Sequence, residues 1–253
     1  MAEAIIEVWR GDLVESQHHV HIAVVDGGGR LRAHAGDPEM LTFARSAVKP
    51  MQTVPIVDDG AADQFGFTEA ELALCCASHS GESRHVAAVN GMLRKVGAAA
   101  EALACGPHIP LGKEAARELA ERREEPTRVH NNCSGKHTGM LALARVHGWP
   151  LAGYQEADHP VQQRMQQEVA QWAEVSADEI PTAVDGCGVI TFALRLERLA
   201  GAFARFAASA RRGENAPSRI VQAMVRNPEY VAGTDRLCTE LRRVARGRVF
   251  AKV

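Results

Sequence analysis

The chain has 253 residues, of which 46% are hydrophobic, and its 29 basic and 31 acidic residues leave a formal net charge of -2. That length suits one large domain or two small ones with an ordinary globular core, whereas the balanced charge gives no support to a nucleic-acid partner. No apolar run approaches the roughly 20 residues of a membrane helix, and no signal peptide is recognisable at the N-terminus, so we expect a cytoplasmic protein with reduced thiols.

In chain order, the sequence predicts strands first and then mostly helices. Alternating apolar residues predict an antiparallel meander with strands over 5–10, 14–26 and 30–35. Periodicity and capping residues predict helices over 68–78, 83–96, 113–125, 140–146, 160–174, 193–210, 218–226 and 234–246, and strands over 181–184 and 248–253. Strands at both ends with helices between them indicate one α+β domain over 1–253, with a mixed or antiparallel sheet and flanking helices.

The first candidate for chemistry is a Ser-x-x-Lys pattern at Ser46 and Lys49. If Ser46 opens a helix, Lys49 lies one turn further on the same face. A buried lysine can be neutral and can then take a proton from the serine. The pattern alone is common, and its plain interpretation is a helix N-cap followed by a surface lysine. Pro50 favours the functional interpretation, because proline fixes the backbone at the helix start.

A second polar cluster follows the helix predicted over 68–78. It consists of Ser78, His79, Ser80, Gly81 and Glu82. Its plain interpretation is a helix C-terminus that stops at a glycine. The two serines on either side of His79 could instead supply a second nucleophile or donors to an oxyanion.

The third cluster, residues 130–139, is made of polar, small and reactive side chains and precedes an apolar helix. A capped helix start would explain one Asn or Ser and one Gly, but not the cysteine, the lysine and both histidines. Residues 133–136 look like the end of a phosphate-binding loop. However, His130 stands where a glycine is needed, and His137 replaces the Ser or Thr after the lysine, so we reject nucleotide binding.

A metal site is the alternative for this cluster. Cys133 and Cys187 both lie in polar, glycine-containing segments, unlike the cysteines in apolar runs. The two sulfurs could form a metal pair, with a nearby amine or imidazole completing a tetrahedral set. Asp185, two residues before Cys187, is a candidate partner of such a site or of a substrate amine.

Together these motifs resemble the L-asparaginase II family of rhizobial type, from about Val8 to the end of the chain. The similar stretches, in chain order, are Arg45-Ser46-Ala47-Val48-Lys49-Pro50-Met51-Gln52, Ala77-Ser78-His79-Ser80-Gly81-Glu82, residues 130–140, Asp185-Gly186-Cys187-Gly188, and Gly233-Thr234 with Arg236. The resemblance implies a fold like that of serine β-lactamases and penicillin-binding proteins. It also implies hydrolysis of L-asparagine to L-aspartate and ammonia, and a homodimer.

The resemblance also implies roles for individual residues. The catalytic residues would be Ser46 paired with Lys49, and Ser78 paired with Lys252. The residues that would line the substrate cleft are His79, Ser80, Asn132, His137 and Asp185. The residues that would hold a zinc ion are Cys133, Lys136 and Cys187. A lysine must be neutral to bind a metal, which requires a lowered pKa.

Three hypotheses of function follow. The first is an asparaginase, in which Ser46 or Ser78 attacks the amide. The second is a peptidase or β-lactamase-like acylase, because the fold alone does not choose the substrate. The third is a non-enzymatic zinc-binding or redox protein that uses Cys133 and Cys187. Family members continue past the lysine that matches Lys252, so we expect this chain to be truncated at its C-terminus relative to the family.

Overall fold

The computed structural model describes residues 4–252. It confirms the predicted class: small antiparallel sheets flanked by helices make an α+β fold. The strands are β1 (Ala4–Arg10), β2 (Leu13–Val20), β3 (Ile22–Val25), β4 (Leu31–Ala35), β5 (Leu41–Phe43), β6 (Thr182–Val184) and β7 (Ile190–Arg195). The closer likeness to serine β-lactamases and the assignment of one catalytic domain to 1–253 stay predictions.

The N-terminal strands form two hairpins, where the sequence predicts a single meander. β1 pairs with β2 and β3 pairs with β4, each antiparallel and each in its own sheet. The predicted strand over 14–26 is broken at His21, whose Nδ1 accepts a hydrogen bond of 2.8 Å from the Asp37 backbone amide. A side chain used as a backbone acceptor ends the regular ladder, and periodicity alone does not reveal this.

A third sheet has the order β5-β7-β6, and its central strand is absent from the sequence prediction. The run Ile190–Leu194 is buried throughout, so it lacks the alternation of a half-buried strand. The sequence predicts a helix from 193 instead, and this prediction is wrong, since the helix begins at Leu196. A short, mostly apolar run fits a central strand and a buried helix equally well.

The helices cover most of the remaining chain. They are α1 (Lys49–Gln52), α2 (Val54–Asp58), α3 (Ala61–Gln64), α4 (Glu69–Cys75), α5 (Ser83–Val96), α6 (Lys113–Arg122), α7 (Ser134–His147), α8 (Pro160–Ala173), α9 (Leu196–Arg212), α10 (Asn215–Arg226), α11 (Pro228–Val231) and α12 (Leu237–Ala245). The predicted capping box is present at Thr68, and Gly97 ends α5 in a left-handed conformation. No helix among residues 4–252 is long and apolar enough to cross a membrane.

Two corrections concern the site. α7 begins at Ser134 and not near Met140, so half of the presumed loop is helical. Residues 248–252 form no strand, and Val253 lies outside the described residues.

α7 is the buried centre of the molecule, and its glycines explain how closely it packs. Residues 134–144 are all buried. A Cβ placed on Gly135 would lie 2.4 Å from the Leu74 carbonyl oxygen, and one on Gly139 would lie 2.5 Å from Ile56 Cδ1. Only glycine lets helices approach this closely. The start of α7 is therefore held against the end of α4, where Ser78 follows.

Candidate active site

The segment after α4 runs between two other parts of the chain. The backbone amide of Ser78 donates to the Val231 carbonyl at 3.0 Å, and the amide of His79 donates to the Asn132 carbonyl at 3.1 Å. These two bonds hold the segment from opposite sides. They place the Ser78 hydroxyl between the start of α7 and the C-terminal part of the chain.

Lys49 projects from the start of α1 into this interior and is only 1% exposed. Its Nζ lies 2.5 Å from the Ala77 carbonyl oxygen, 3.1 Å from Ser78 Oγ and 3.2 Å from Cys133 Sγ. Ser46 is half-buried in the 3-10 turn before α1. The Lys49 amine donates to Ser78 Oγ, whereas the contact with Ser46 given for residues 4–252 is a backbone one, from the Lys49 amide to the Ser46 carbonyl. A catalytic Ser46–Lys49 pair stays a prediction.

Lys252 approaches the same hydroxyl from the C-terminal segment. Its Nζ lies 2.8 Å from Ser78 Oγ. Burial, followed by repulsion from the Lys49 amine, lowers the pKa of Lys252 from its ordinary 10.5 to about 7. A substantial fraction of this amine is therefore neutral near neutral pH, and a neutral amine 2.8 Å from a hydroxyl can accept its proton.

The predicted metal residues also lie together. Lys136 Nζ donates to Cys187 Sγ at 3.3 Å, and the two thiols share a hydrogen bond. That bond and the two nearby lysines lower the pKa of Cys133 well below its ordinary value, while the same bond raises the pKa of Cys187. When the pair loses its first proton, the negative charge is therefore shared between the two sulfurs and lies next to the amines of Lys49 and Lys136.

This donor set fits zinc in its chemistry. Sulfur and nitrogen donors are the usual ligands of tetrahedral zinc. No group of three His, Cys, Asp or Glu side chains suited to a metal occurs in residues 4–252, so a zinc ion bound by Cys133 and Cys187 would need the Lys136 amine. Burial opposes charge on Lys136, but the two cysteines outweigh it and raise its pKa. Binding would therefore have to displace a proton from this amine.

Asp185 lies at the edge of this cluster and is held by Arg45, which sequence reasoning did not assign to the site. Arg45 Nε and Nη2 lie 2.9 and 2.8 Å from Asp185 Oδ1. Burial works against the charge of Asp185, but hydrogen bonds from Gly186 and Arg45 lower the pKa of its carboxyl. Arg45 has a φ of +43°, a strained value for a residue other than glycine. Its only sequence signal is its position directly before Ser46.

Two of the predicted substrate-binding histidines have partners inside the protein. His79 is fully buried, its Nε2 lies 2.9 Å from Ser134 Oγ, and its Nδ1 accepts from the Gly81 amide. His137 Nδ1 lies 2.6 Å from the Tyr154 hydroxyl, and its Nε2 is buried without a partner in the described chain. Burial lowers the pKa of both imidazoles well below 6.5, so they are neutral. Contact with a substrate stays a prediction for each.

Ser80 and Asn132 are placed differently. The Ser80 hydroxyl donates to the Ala232 carbonyl at 2.8 Å. Asn132 is half-buried, and its backbone carbonyl oxygen accepts a hydrogen bond from the backbone amide of His79. Sequence reasoning missed the neighbouring Asn131, whose side chain accepts from the Cys133 amide and donates to the Gly106 carbonyl, both at 2.9 Å. The sequence shows two adjacent asparagines, and no sequence pattern distinguishes the one whose side chain orders the loop from the one that bonds through its backbone.

The folded chain thus gathers one serine, three lysines and two thiols on an α+β frame, which is the composition of a hydrolase site with its own proton acceptors. The model of the L-asparaginase II family matches residues 6–253, so the chain belongs to this family of asparaginase-type amidohydrolases. A search among curated proteins finds no match.

Proposed function

We propose that this protein hydrolyses the side-chain amide of L-asparagine to give L-aspartate and ammonia, with Ser78 as the nucleophile. One observation carries the proposal: two lysine amines, those of Lys49 and Lys252, contact the same buried hydroxyl at 3.1 and 2.8 Å. Burying two amines around one hydroxyl is costly, and buried titratable groups with strongly shifted pKa values cluster at functional sites. Family membership supports an amide as the bond that is attacked.

The chemistry would follow from these contacts. Ser78 Oγ forms a bond to the amide carbon, and its proton passes to the neutral Lys252 Nζ. The protonated lysine then gives that proton to the departing ammonia as the C–N bond breaks. Water subsequently attacks the acyl ester and gives a proton to Lys252. The lysine returns that proton to Ser78 Oγ as the ester C–O bond breaks, which releases L-aspartate and restores Ser78 and the neutral lysine.

The developing oxyanion needs donors, and the nearest backbone amides are already engaged. Those of Ser78 and His79 donate to Val231 and Asn132. The Lys49 amine, fixed by the Ala77 carbonyl and in contact with Ser78 Oγ, is the donor best placed for this charge.

Zinc belongs to this proposal as a tuning element. Cys133, Lys136 and Cys187 would hold it, and when bound it would supply fixed positive charge beside the reacting serine. Lys49 connects the two groups, because its amine contacts both Ser78 and Cys133. The protein's residues perform every step above without the ion as a reactant. The homodimer is a proposal from the family resemblance, and the cytoplasmic location stays the expectation drawn from the sequence.

The identity of the nucleophile is tested with Ser78→Ala and Ser46→Ala, assayed separately for ammonia release from L-asparagine. We expect Ser78→Ala to lower kcat by at least about 10⁴-fold, the loss typical of a removed nucleophile. The exposed Ser176→Ala is the matched control. A large loss in Ser46→Ala with a small one in Ser78→Ala would transfer the role to Ser46, and full activity in both variants would refute the Ser–Lys mechanism.

Two alternatives remain as outcomes of the same assays. Turnover of a β-lactam without ammonia release from asparagine would identify an acylase. Zinc binding without any amidase activity would identify a non-enzymatic zinc protein.

A further inference from the structure

Two cavities meet at one arginine. A small inner cavity of about 50 Å³ is lined by Ser78, Lys252 and Arg236 together with residues around them. A larger outer cleft of about 940 Å³ is lined by Ser80, Glu82, Asp235 and Arg236 among others. Arg236 is common to both. A molecule that reaches Ser78 from the outer cleft would therefore pass beside this side chain.

The Arg236 guanidinium has no ion pair and no side-chain hydrogen bond within the described part of the chain, although it is half-buried. Other arginines near it are paired: Arg84 with Glu82 at 3.0 Å, and Arg243 with Glu229 at 2.6 Å. A guanidinium presents five donors in a planar fork that matches a carboxylate. Arg236 is therefore available for an anionic group of a ligand.

The backbone around Arg236 is held in an unusual shape. Gly233 and Asp235 have φ values of +125° and +56°. The Glu82 carboxylate accepts from the Thr234 amide at 2.6 Å and from its hydroxyl at 3.2 Å, which fixes the turn. A Cβ on Gly233 would lie 2.3 Å from Ser80 Oγ. Such a conformation costs free energy, and the surrounding contacts maintain it next to the cleft.

Arg45, the other arginine near the site, does not offer an unpaired charge to a ligand. Its guanidinium already forms an ion pair of 2.8 Å with Asp185. Asp235 also lines the outer cleft and has no ion pair in residues 4–252. Adjacent and opposite charges are thus present at the mouth of the cavity that contains Ser78 and Lys252.

We infer that Arg236 is a specificity-determining residue that binds the α-carboxylate of a free amino acid, with Asp235 facing its α-ammonium group. This inference rests on the proposed function, because the side-chain amide of that amino acid would then enter the inner cavity beside Ser78. The substrate class is a free α-amino acid with a side-chain amide. An amide within a peptide chain lacks the free carboxylate and is excluded.

The test compares L-asparagine with L-asparaginamide, in which the α-carboxylate is replaced by a neutral amide, for the wild type and Arg236→Gln. The side-chain amide is the same in both compounds, so ammonia from that position is followed by the appearance of the matching product. We expect Arg236→Gln to lower kcat/KM for L-asparagine by about 10- to 100-fold, the value of a charge-assisted hydrogen bond, mainly through KM. Its kcat/KM for L-asparaginamide should change by less than about twofold. Arg226→Gln, which removes an exposed arginine paired with Glu69, is the control.

Equal losses for both compounds would show a structural role and overturn the inference, as would unchanged kinetics. Binding of L-aspartate, measured by calorimetry, separates this inference from the proposed function. If the wild type has no amidase activity but binds L-aspartate, and Arg236→Gln abolishes that binding, the proposed function fails and the carboxylate site stands. If the wild type neither reacts with asparagine nor binds L-aspartate, both fail.

Discussion

Lys252 and Lys136 are two buried lysines in different parts of one site, and their pKa values shift in opposite directions. Burial and the neighbouring Lys49 amine lower the pKa of Lys252 to about 7. Burial acts on Lys136 as well, but the sulfurs of Cys133 and Cys187 raise its pKa. The neighbours, and not burial alone, decide which lysine is neutral. In the proposed mechanism the serine side of the site therefore has a proton acceptor, and the thiol side has a cation that could become a metal ligand only after it loses a proton.

Lys49 joins these two regions. Its amine lies 3.1 Å from Ser78 Oγ and 3.2 Å from Cys133 Sγ. A change of charge at the thiols would therefore act on the Ser78 hydroxyl through one intervening group. If Lys252 can be removed without loss of activity, or Lys136 without loss of metal binding, the two lysines do not have these separate roles.

The largest effect is expected from Lys252→Met, which removes the proton acceptor and keeps an apolar stem of similar length. We expect kcat for L-asparagine to fall by about 10³- to 10⁴-fold, because general base catalysis typically contributes 10²–10⁴-fold. The folded state should become more stable at pH 7, because the lowered pKa shows that burial of this amine opposes folding. Steady-state ammonia release and denaturant unfolding measure the two effects.

Lys95→Met is the matched control, since this lysine is paired with Glu71 at 2.6 Å and lies outside the site. Activity within about tenfold of the wild type in Lys252→Met would assign the proton transfer to another group, such as Lys49.

The thiol region is tested by metal content. We expect the purified wild type to hold about one zinc ion per chain, and Cys133→Ala to hold none, because two remaining ligands cannot retain zinc. Elemental analysis after gel filtration measures this directly. Cys75→Ala removes a buried cysteine of α4 and is the control. If zinc stoichiometry is unchanged in Cys133→Ala, this cluster is not a zinc site.

Much of the site was accessible from the sequence because motifs are local. The patterns at Ser46, Ser78 and Cys133 were visible as polar clusters next to apolar helices, and the capping box at Thr68 gave the start of α4. Lys252 is different, because it is 174 residues from Ser78 and only the family resemblance connected them. A single sequence contains no direct information on that distance.

What the sequence did not reveal depends on tertiary contacts. The break between β2 and β3 depends on a side-chain acceptor at His21. The strand at Ile190–Arg195 is buried at every position except Arg195, so it has no strand periodicity. The choice of Ser78 over Ser46 as the partner of Lys49 follows from where α1 packs, although the local i, i+3 spacing favours Ser46. Local spacing predicts contacts only between residues of one helix, whereas the Lys49 amine contacts a residue of a different segment.

The smallest effect, and the most specific to Lys252, is in the pH dependence. A lysine with a pKa of about 7 is neutral above that pH and protonated below it. If Lys252 accepts the proton, the acceptor is therefore lost as the pH falls, and we expect kcat/KM for L-asparagine to decrease by about tenfold per unit below pH 7, since kcat/KM reports the ionisation of the free enzyme. The unfolded chain, with an ordinary pKa of 10.5, binds one more proton than the folded chain between about pH 7 and 10.5, so the stability of the wild type should rise with pH in that window. Lys252→Met lacks this contribution, so its stability advantage over the wild type should shrink by about 3 to 5 kcal/mol from pH 7 to 10.5. Urea unfolding at a series of pH values measures the difference, and a constant advantage across the window would mean that Lys252 is not neutral in the folded protein.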